Sequence, residues 1–536
     1  MAIPGEQNRL FQSTTETVPS VEARGSRRSA GIDPVVVGIS GGKRNPAAAV
    51  AVGGRLVAFC EQERLTRVRG GGLRPGQLPE EALNAILNLA GAGRDEIYTY
   101  MAAEEAVSLA HDLPCVRLDH HQCHAAAAFL TSPFDAATIL VCDQNSNPQV
   151  SLWQGEGRDI VNLQHPWGGH GFAALFADAS RLFGFASGQE HRLEALARLD
   201  SGAESARISP ALRYSDGFLH VDPEWQSMLT AWLHEYGADW PLQHGARVAS
   251  AFQRALGDVL VEFVADIRRS SAATRLCLGG GLFYNTYFNT RVATAGAFDD
   301  VFVAPNPGNA GLAAGAALAI KRPELPSVRE AVSPFLGPEY SLEEIKAVLD
   351  NCKLSYECRS HDELVAICVD NLLAGRLVGW FQGRMEWGHR ALGNRSILAN
   401  PLSPYVLENL STFLKQRERH RSYGLSVCEE QASQYFEGPR RSAWMEYDYR
   451  VKDPSLLRHV LPAGAETLRV QTVAADAHLF RQLHHAFGAA SGVGVLVNTS
   501  FNGFSEPIVC SPRDAIRVFF GTGLDVLVLG RFIVRK

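Results

Sequence analysis

Short apolar runs that end in glycine or in a single acidic residue dominate the first half of the chain. Val35–Ile39 runs into SGGKRNP, Ala137–Cys142 runs into Asp143, and Thr274–Leu278 runs into three glycines. Continuous apolar runs of this length, bounded by glycine, predict strands that are buried on both faces. Their recurrence predicts an α/β domain with ligand-binding loops at the strand ends. No internal repeat is visible in the residues themselves.

A second domain is predicted beyond a proline-rich stretch. Four prolines lie between Pro323 and Pro338, and the apolar runs 377–381 and 493–497 that follow predict new strands. The N-terminal residues are polar and rich in Ser and Arg, which predicts disorder. The predicted organisation is a disordered tail (1–33), a first domain (34–325), a linker (326–345) and a second domain (346–536).

Composition and charge exclude several classes of protein. The chain is 46% hydrophobic and 20% charged, as in ordinary globular proteins. Lys plus Arg is 51 and Asp plus Glu is 57, and this net charge of −6 argues against nucleic-acid binding, which needs a basic excess. No apolar run reaches the ~20 residues that cross a membrane. Ten dispersed cysteines without a Cys-x-x-Cys pair argue against disulfides and predict a cytoplasmic protein.

Two histidines in LDHHQCHA are the first candidates for chemistry. His120 and His124 are four residues apart and share one face of a helix, whereas His121 and Cys123 point away from it. Two imidazoles together with the strand-end Asp143 are a typical start for a divalent-metal site. The alternative interpretation is a pair of surface histidines that pair with carboxylates.

Glycine-rich strand ends are the second candidate. Gly38-x-x-Gly41-Gly42-Lys43 and Gly279-Gly280-Gly281 would allow backbone N–H groups to approach phosphate, with Asp143 holding a metal–phosphate complex. Each feature is also compatible with a simple turn.

Arginine and glycine alternate in GRMEWGHRALGNRS, which contains Arg384, Arg390 and Arg395. Guanidinium groups bind phosphate and carboxylate bidentately, and glycines let the backbone approach the ligand. Further basic residues follow in KQRERHR and at Arg469, so this pattern predicts a focused anion pocket. The alternative is surface arginines in ion pairs with Glu386 and its neighbours.

A cluster of small polar residues occurs in VNTSFNGFSEP, namely Asn498, Thr499, Ser500 and Asn502. Such groups suit recognition of a small polar ligand, although a polar turn would have the same composition.

Taken together, these strings resemble the O-carbamoyltransferases of antibiotic and nodulation pathways. The matching strings are HHQCHA, GGGLFYNTYFNTR, GRMEWGHRALGNRSILANP, KQRERHR, LRVQTV and LVNTSFNGFSEPIVCSPRDA. The resemblance implies an actin- and hexokinase-like N-terminal domain, similar to tRNA threonylcarbamoyl-transferases, and a YrdC-like C-terminal domain. It also implies that carbamoyl phosphate and ATP give carbamoyl-adenylate and pyrophosphate in the second domain. The carbamoyl group then passes to a small-molecule hydroxyl or amine in the first domain, near a divalent metal such as Fe or Mg.

The resemblance assigns roles to individual residues. It implies metal ligands at His120, His124, Asp143 and Asn309, and it aligns the catalytic region with Asp143, Asn45 and Arg192. The substrate and nucleotide contacts that it implies are Arg384, Arg390, Arg395, Lys415, Arg417, Arg421, Arg469, Asn498, Ser500, Gly279, Gly280 and Asn285.

The first domain departs from the family pattern. Asn45-Pro46 stands where the family has His-Asp, which removes a general base. Arg192 replaces a lysine, and Asn309 replaces an aspartate metal ligand with a neutral oxygen. In the second domain His389 replaces a proline. We therefore expect a competent adenylate-forming domain joined to an altered transfer site.

Three hypotheses follow for function. The first is an ATP-dependent carbamoyltransferase of secondary metabolism. The second is a non-catalytic or partner-dependent paralogue that binds nucleotide or a pathway intermediate, with a homo-oligomer or a paralogous partner subunit as the assembly. The third, tRNA threonylcarbamoylation, is disfavoured because the chain has an acidic balance and no basic tract.

Overall fold

The computed structural model describes residues 33–536, except 43, 105–114, 145, 166, 322–324 and 326–330. The predicted tail, apart from Asp33, and the first part of the predicted linker lie outside these residues, as do Lys43 and Asn145. Within the described ranges, no helix combines the length and the apolar composition that crossing a bilayer requires. The domain limits of 34–325 and 346–536 stay a prediction.

The first strands of the described part of the chain form a mixed five-stranded sheet in the order β3-β2-β1-β4-β5. Neighbouring strands among β1, β2 and β3 are antiparallel, and β4 and β5 run parallel to β1. A glycine turn at Gly53-Gly54 joins β2 to β3. The elements are β1 (Val35–Ser40), β2 (Ala47–Val52), β3 (Arg55–Glu61), α1 (Gln62–Thr66), α2 (Glu80–Ala90), β4 (Ile97–Ala103) and β5 (Cys115–Leu118).

A second five-stranded sheet has the same topology. Its order is β12-β11-β6-β7-β8, with an antiparallel β6-β7-β8 meander and with β11 and β12 parallel to β6. Its strands are β6 (Ala136–Cys142), β7 (Val150–Glu156), β8 (Asp159–Asn162), β11 (Arg275–Gly279) and β12 (Asp300–Val303), and a separate hairpin contains β9 (Leu212–Ser215) and β10 (Phe218–Val221). Two sheets of one topology form the actin- and hexokinase-like architecture that was predicted.

The helices of this N-terminal domain surround the two sheets. They are α3 (His120–Leu130), α4 (Phe172–Leu182), α5 (Glu190–Ala197), α6 (Trp225–Leu233), α7 (Leu242–Ser270), α8 (Thr286–Thr294) and α9 (Leu312–Leu318). Each half therefore buries its sheet against helices, as α/β domains require.

Helices α3 and α9 cross at a contact that only small residues permit. Their sequences, HHQCHAAAAFL and LAAGAAL, place alanines on the shared surface. A Cβ atom on Gly315 would lie 2.0 Å from the carbonyl oxygen of Cys123, and one on Gly38 of β1 would lie 2.0 Å from that of Ala313. Backbone therefore packs on backbone, and this fixes the N-terminal end of α3 relative to both sheets.

The C-terminal domain is α/β as well and is built on a ten-stranded mixed sheet. The order is β13-β22-β21-β14-β15-β20-β16-β19-β18-β17, with β14–β21 and β16–β19 parallel and the other pairs antiparallel. The strands are β13 (Glu357–Cys358), β14 (Val378–Phe381), β15 (Arg395–Ala399), β16 (Leu425–Cys428), β17 (Phe436–Glu437), β18 (Asp448–Val451), β19 (Thr467–Val473), β20 (Val495–Ser500), β21 (Val526–Leu529) and β22 (Phe532–Arg535).

Local signals set several helix starts in this domain. Ser341 and Glu344 form a capping box, and Ser511 caps a helix that has Pro512 in its first turn. The helices are α10 (Leu342–Asn351), α11 (His361–Leu373), α12 (Val406–Glu408), α13 (Ala432–Tyr435), α14 (His478–Ser491) and α15 (Pro512–Gly521).

Candidate functional site at the domain junction

The two predicted histidines and Asp143 meet in the N-terminal domain. Asp119 caps α3 by accepting from the Gln122 N–H at 2.9 Å, so the helix begins at His120. One turn later His124 brings its Nε2 to within 3.2 Å of His120 Nε2, and His120 Nε2 lies 3.2 Å from Asp143 Oδ2. One donor atom from each residue lies within 4.8 Å of the others. Two imidazoles and a carboxylate in this arrangement fit a divalent transition metal.

The protonation of this histidine centre (His120, His124 and Asp143) also suits a metal. Burial lowers the pKa of His124 to about 3 despite the attraction of Asp143, so its ring is neutral at pH 7. The Pro307 carbonyl accepts a hydrogen bond from that ring, which fixes its tautomer. His121 faces elsewhere, as expected, because its two ring nitrogens lie 2.6 Å from Ser151 Oγ and 2.5 Å from Ser146 Oγ.

The ends of β6 and β11 and the loop after β12 meet at Asp143, and glycine allows the close backbone contacts between them. Gly280 has φ 99° and donates to the Pro307 carbonyl at 2.9 Å, while a Cβ atom there would lie 2.2 Å from the Cys142 carbonyl oxygen. The Gly281 N–H lies 3.4 Å from Asp143 Oδ1. The predicted ligand Asn309 opens the turn Asn309–Gly311, two residues beyond Pro307. Its role as a ligand stays a prediction.

Two other residues of the predicted first-domain site have different surroundings. Asn45 is exposed, with φ 49°, on the turn that leads into β2. Asn285 is buried, where it caps α8 by accepting from the Tyr287 N–H and donates to Gln253 Oε1 at 3.0 Å. These bonds position α8, so we assign Asn285 to support of the glycine loop.

Helix α5 and the residue that follows it contribute several ionic contacts between the two domains. Arg192, the predicted catalytic position, pairs with Glu418 of the C-terminal domain and lies over the Phe185 ring. Directly after the helix, the buried Arg198 donates to both carboxylate oxygens of Asp448 at 2.9 and 3.0 Å and to Glu194 at 2.8 Å. This helix therefore ties the N-terminal domain to the basic segment of the other.

The carboxylate of Glu194 is fixed in its ionised form. Burial raises its pKa, but Arg198, Arg469 and Arg390 outweigh burial and hold that pKa at about 2. Thr286 Oγ1 bonds Glu194 and Asp448, each at 2.8 Å. Glu194 is thus paired within the junction already.

Four arginines of the C-terminal domain face this junction, and we call them the arginine cluster: Arg390, Arg417, Arg421 and Arg469. Burial and the neighbouring Arg417 lower the pKa of Arg421 to about 10. Burial, together with Arg390 and Arg198, also lowers the pKa of Arg469. Like charges that depress one another in this way favour an anionic ligand.

Buried polar atoms without a hydrogen-bond partner surround the arginine cluster. Among the described residues they include Nε of Arg390, Nε of Arg469, Oγ of Ser422 and Oδ1 of Asn498. Arg469 and Arg417 both donate to the Ser422 carbonyl, at 3.3 and 3.4 Å. Buried polar groups are normally satisfied, so their concentration here indicates a ligand pocket.

Two other predicted anion contacts, Arg384 and Arg395, donate most of their N–H groups to backbone carbonyls, although Arg395 Nε is buried without a partner in the described part of the chain. Arg395 is fully buried, donates to the carbonyls of Gly383, Asn394 and Pro338 among others, and lies over Phe381. Arg384 donates to the Val57 and Leu336 carbonyls at 2.8 and 2.7 Å. We therefore assign both arginines to shaping the loop and joining it to β3.

The predicted polar residues near β20 also make hydrogen bonds within the protein. Asn498 and Ser500 lie inside β20 rather than after it, because the strand continues to Ser500. Asn498 donates to Gln471 Oε1 at 2.9 Å, and Ser500 Oγ donates to Asn502 Oδ1 at 2.9 Å. Lys415 Nζ donates to the Ser500 and Asn502 carbonyls at 2.6 and 2.9 Å. Lys415 therefore secures the end of β20 beside the pocket.

Sequence reasoning missed several residues of the junction. Glu61 accepts from the Gly388 N–H at 3.1 Å, and Arg64 donates to the Gly388 carbonyl at 2.8 Å. Their partner is more than three hundred positions away, so no local signal identifies them. Glu194 and Arg198 were detectable, since acid and base four residues apart on a helix form ion pairs.

Family models match most of both domains. Residues 76–318 match the model described as Carbamoyltransferase N-terminus, and residues 369–536 match Carbamoyltransferase C-terminus.

The chain is also similar to curated proteins and, more distantly, to a solved structure. Nodulation protein NolO of Bradyrhizobium diazoefficiens is 32% identical over 436 residues, which cover 78% of this chain and 79% of NolO. The 3'-hydroxymethylcephem-O-carbamoyltransferase of Amycolatopsis lactamdurans is 32% identical over 309 residues, 56% of this chain and 55% of that protein. A structure of full-length HypF in the phosphate- and nucleotide-bound form has a TM-score of 0.38 at 12% identity, covering 55% of this chain and 56% of HypF.

Proposed function

Because the chain belongs to the carbamoyltransferase family, we propose that it is an ATP-dependent carbamoyltransferase that works through carbamoyl-adenylate. In this proposal the C-terminal domain binds carbamoyl phosphate and ATP. Water cleaves carbamoyl phosphate to carbamate and phosphate, and the carbamate oxygen then attacks the α-phosphorus of ATP, which gives carbamoyl-adenylate and releases pyrophosphate. The carbamoyl group then passes to a small-molecule hydroxyl or amine in the N-terminal domain, within secondary metabolism.

One observation carries the proposal, namely the excess of positive charge at the arginine cluster. The two glutamates that approach the cluster are shared, because Glu194 pairs with Arg198 and lies 3.8 Å from Arg469, and Glu418 pairs with Arg192 and lies 3.6 Å from Arg421. Asp448 pairs with Arg198 as well. These carboxylates are fewer than the arginines around them, so phosphate groups would balance the remaining charge and reach the unpartnered Nε atoms of Arg390 and Arg469. Carbamoyl phosphate and ATP both carry such groups.

The arginines have a clear role in the adenylation step. Guanidinium groups held by fixed bonds to the Ser422 carbonyl need little reorganisation when the phosphate charge shifts toward the leaving pyrophosphate. Exclusion of water from the buried junction strengthens this stabilisation. Arg417 is further constrained because it lies over the Tyr423 ring.

The histidine centre supports the transfer step. The fixed neutral ring of His124, together with His120 and Asp143, would hold a divalent ion, and of the two predicted metals the two imidazoles favour Fe over Mg. Such an ion acts as a Lewis acid that polarises the carbamoyl oxygen. Since Asn45 offers no base, an acceptor that is a stronger nucleophile than an alcohol, such as an amine, fits this domain.

The alternative is a paralogue that binds nucleotide or a pathway intermediate and depends on a partner subunit for transfer. The exposed Asn45 and the neutral Asn309 favour it, since both replace groups that would take part in transfer. Both hypotheses include the formation of carbamoyl-adenylate by this chain, except in the case of a paralogue whose C-terminal domain is inactive.

The test is pyrophosphate release by the pure chain. With ATP and carbamoyl phosphate present, we expect pyrophosphate and phosphate, and a trapped carbamoyl-adenylate identified by mass. No pyrophosphate under any acceptor condition would exclude the enzymatic proposal. Pyrophosphate without a carbamoylated product, until a paralogous protein is added, would support the partner-dependent alternative.

A further inference from the structure

Three potential metal ligands converge at a second place, in the C-terminal domain. Cys428 is the last residue of β16, Glu430 lies in the turn Glu429–Gln431 that follows, and His485 lies on α14. Arg417 and Tyr423 precede the first residue of β16, so the three residues lie at its opposite end from the arginine cluster. Neither the proposed adenylation nor the proposed transfer uses them.

The distances are those of a preformed ligand set. His485 Nε2 lies 3.9 Å from Cys428 Sγ and 3.5 Å from Glu430 Oε1, and the donor atoms lie within 4.8 Å of one another. Zinc bonds of about 2.0 to 2.3 Å at tetrahedral angles separate neighbouring ligand atoms by about 3.5 Å. Small side-chain movements would therefore complete three bonds to one ion.

The geometry differs from that of a proton relay. In a thiol–imidazole–carboxylate relay, the thiol and the carboxylate contact opposite nitrogens of the ring. Here both groups approach the same atom, His485 Nε2. Three donor atoms directed toward one point are the arrangement that a metal ion needs.

A neighbouring arginine prepares the carboxylate. Arg481 donates to both oxygens of Glu430, at 2.7 and 3.0 Å, and these bonds hold the pKa of Glu430 below its usual range. Each oxygen keeps a further lone pair for a metal. Second-sphere bonds of this kind orient metal ligands.

The burial of the three residues allows an ion to enter. Cys428 is fully buried, but the side chains of Glu430 and His485 are 49% and 48% exposed. An ion would approach from the side of these two and displace the thiol proton to solvent, so that a thiolate–metal bond replaces the S–H bond.

We propose that Cys428, Glu430 and His485 form a zinc site that fastens the end of β16 to α14. Thiolate, imidazole and carboxylate together favour Zn²⁺ over Mg²⁺ or Ca²⁺. Three protein ligands leave the fourth position to water, because the exposed side supplies solvent.

Cobalt titration of the full-length, chelator-treated chain tests the site. Co²⁺ bound to a thiolate gives a charge-transfer band in the near ultraviolet, whereas Co²⁺ at the histidine centre, with nitrogen and oxygen ligands, gives none. We expect the band in the wild-type chain and its loss in Cys428→Ser. The matched control Cys358→Ser, at an exposed cysteine of β13, should retain the band.

Zinc affinity gives a second measurement that avoids changing a buried residue. His485→Ala and Glu430→Gln alter half-exposed side chains, and each should weaken Zn²⁺ binding about tenfold or more in competition with a chelator. His124→Ala should leave the cobalt band in place. No band in the wild-type chain, or a band that persists in Cys428→Ser, would overturn the zinc site whatever the outcome of the pyrophosphate assay.

Discussion

Arg198 and Asp448 form a buried ion pair that joins the two domains, with guanidinium-to-carboxylate distances of 2.9 and 3.0 Å. Asp448→Asn leaves the buried Arg198 with Glu194 as its remaining carboxylate partner. Because a buried charge that loses its partner is costly, we expect about 3 to 5 kcal/mol less unfolding free energy. Denaturant unfolding measures it.

The control for that prediction is an exposed pair. Arg207 and Glu235 are 45% and 42% exposed, so solvent screens their attraction and Glu235→Gln should leave the unfolding free energy almost unchanged. If Asp448→Asn and Glu235→Gln lowered the unfolding free energy equally, the buried pair would stabilise the chain no more than an exposed pair does.

The crossing of α3 and α9 predicts an unusual cost for a small substitution. Alanine at Gly315 gains up to about 1 kcal/mol in helix propensity. Its Cβ atom would nevertheless lie 2.0 Å from the Cys123 carbonyl oxygen, and overpacking of this kind costs about 1 to 3 kcal/mol or more. We therefore expect a net loss in thermal unfolding. Gly521→Ala on α15 has open space around the new atom and should be neutral or stabilising.

The arginine cluster predicts which basic residues support pyrophosphate release. Arg421→Met and Arg469→Met should each reduce the rate by about 100-fold, the typical loss when one preorganised charge is removed. Arg419, in the same KQRERHR string, is 65% exposed and pairs with Glu408. Arg419→Met should leave the rate unchanged, and an equal loss there would point to general electrostatics instead of a pocket.

Metal content distinguishes ligands from neighbours on α3. His124→Ala removes one of three converging donor atoms, so we expect the metal bound at the histidine centre to fall to background by elemental analysis. Gln122→Ala lies on the same helix outside the centre and should retain that metal. Retention of the metal in His124→Ala would exclude the assigned ligand set.

Stability should fall as the pH falls from 6.5 toward 4, in part because of His484. Burial lowers the pKa of this residue to about 4 in the folded chain, from an ordinary value of 6.5. Between these values the unfolded chain binds the proton and the folded chain does not, so acidification costs up to about 3 kcal/mol. Denaturant unfolding from pH 7 to pH 4 should give a flatter profile for His484→Leu. An unchanged slope would contradict this assignment.

Local features of the site followed from the sequence. The strand before Asp143 and the helix that places His120 and His124 on one face both depend on residues within a few positions. Such signals act through backbone geometry and nearby hydrogen bonds, so a short window of sequence contains them.

Only the tertiary structure shows which groups each arginine contacts. It alone also shows that the two sheets of the N-terminal domain share one topology. Arg384, Arg395 and Arg469 have the same side chain in similar polar strings. Arg384 and Arg395 donate to backbone carbonyls that shape the loop, whereas Arg469 lies in the ionic junction, 3.8 Å from Glu194. The sheets share strand order without visible sequence repetition, because many apolar residues satisfy the same buried position. Contacts between distant residues depend on the packed arrangement, and a local pattern carries no record of it.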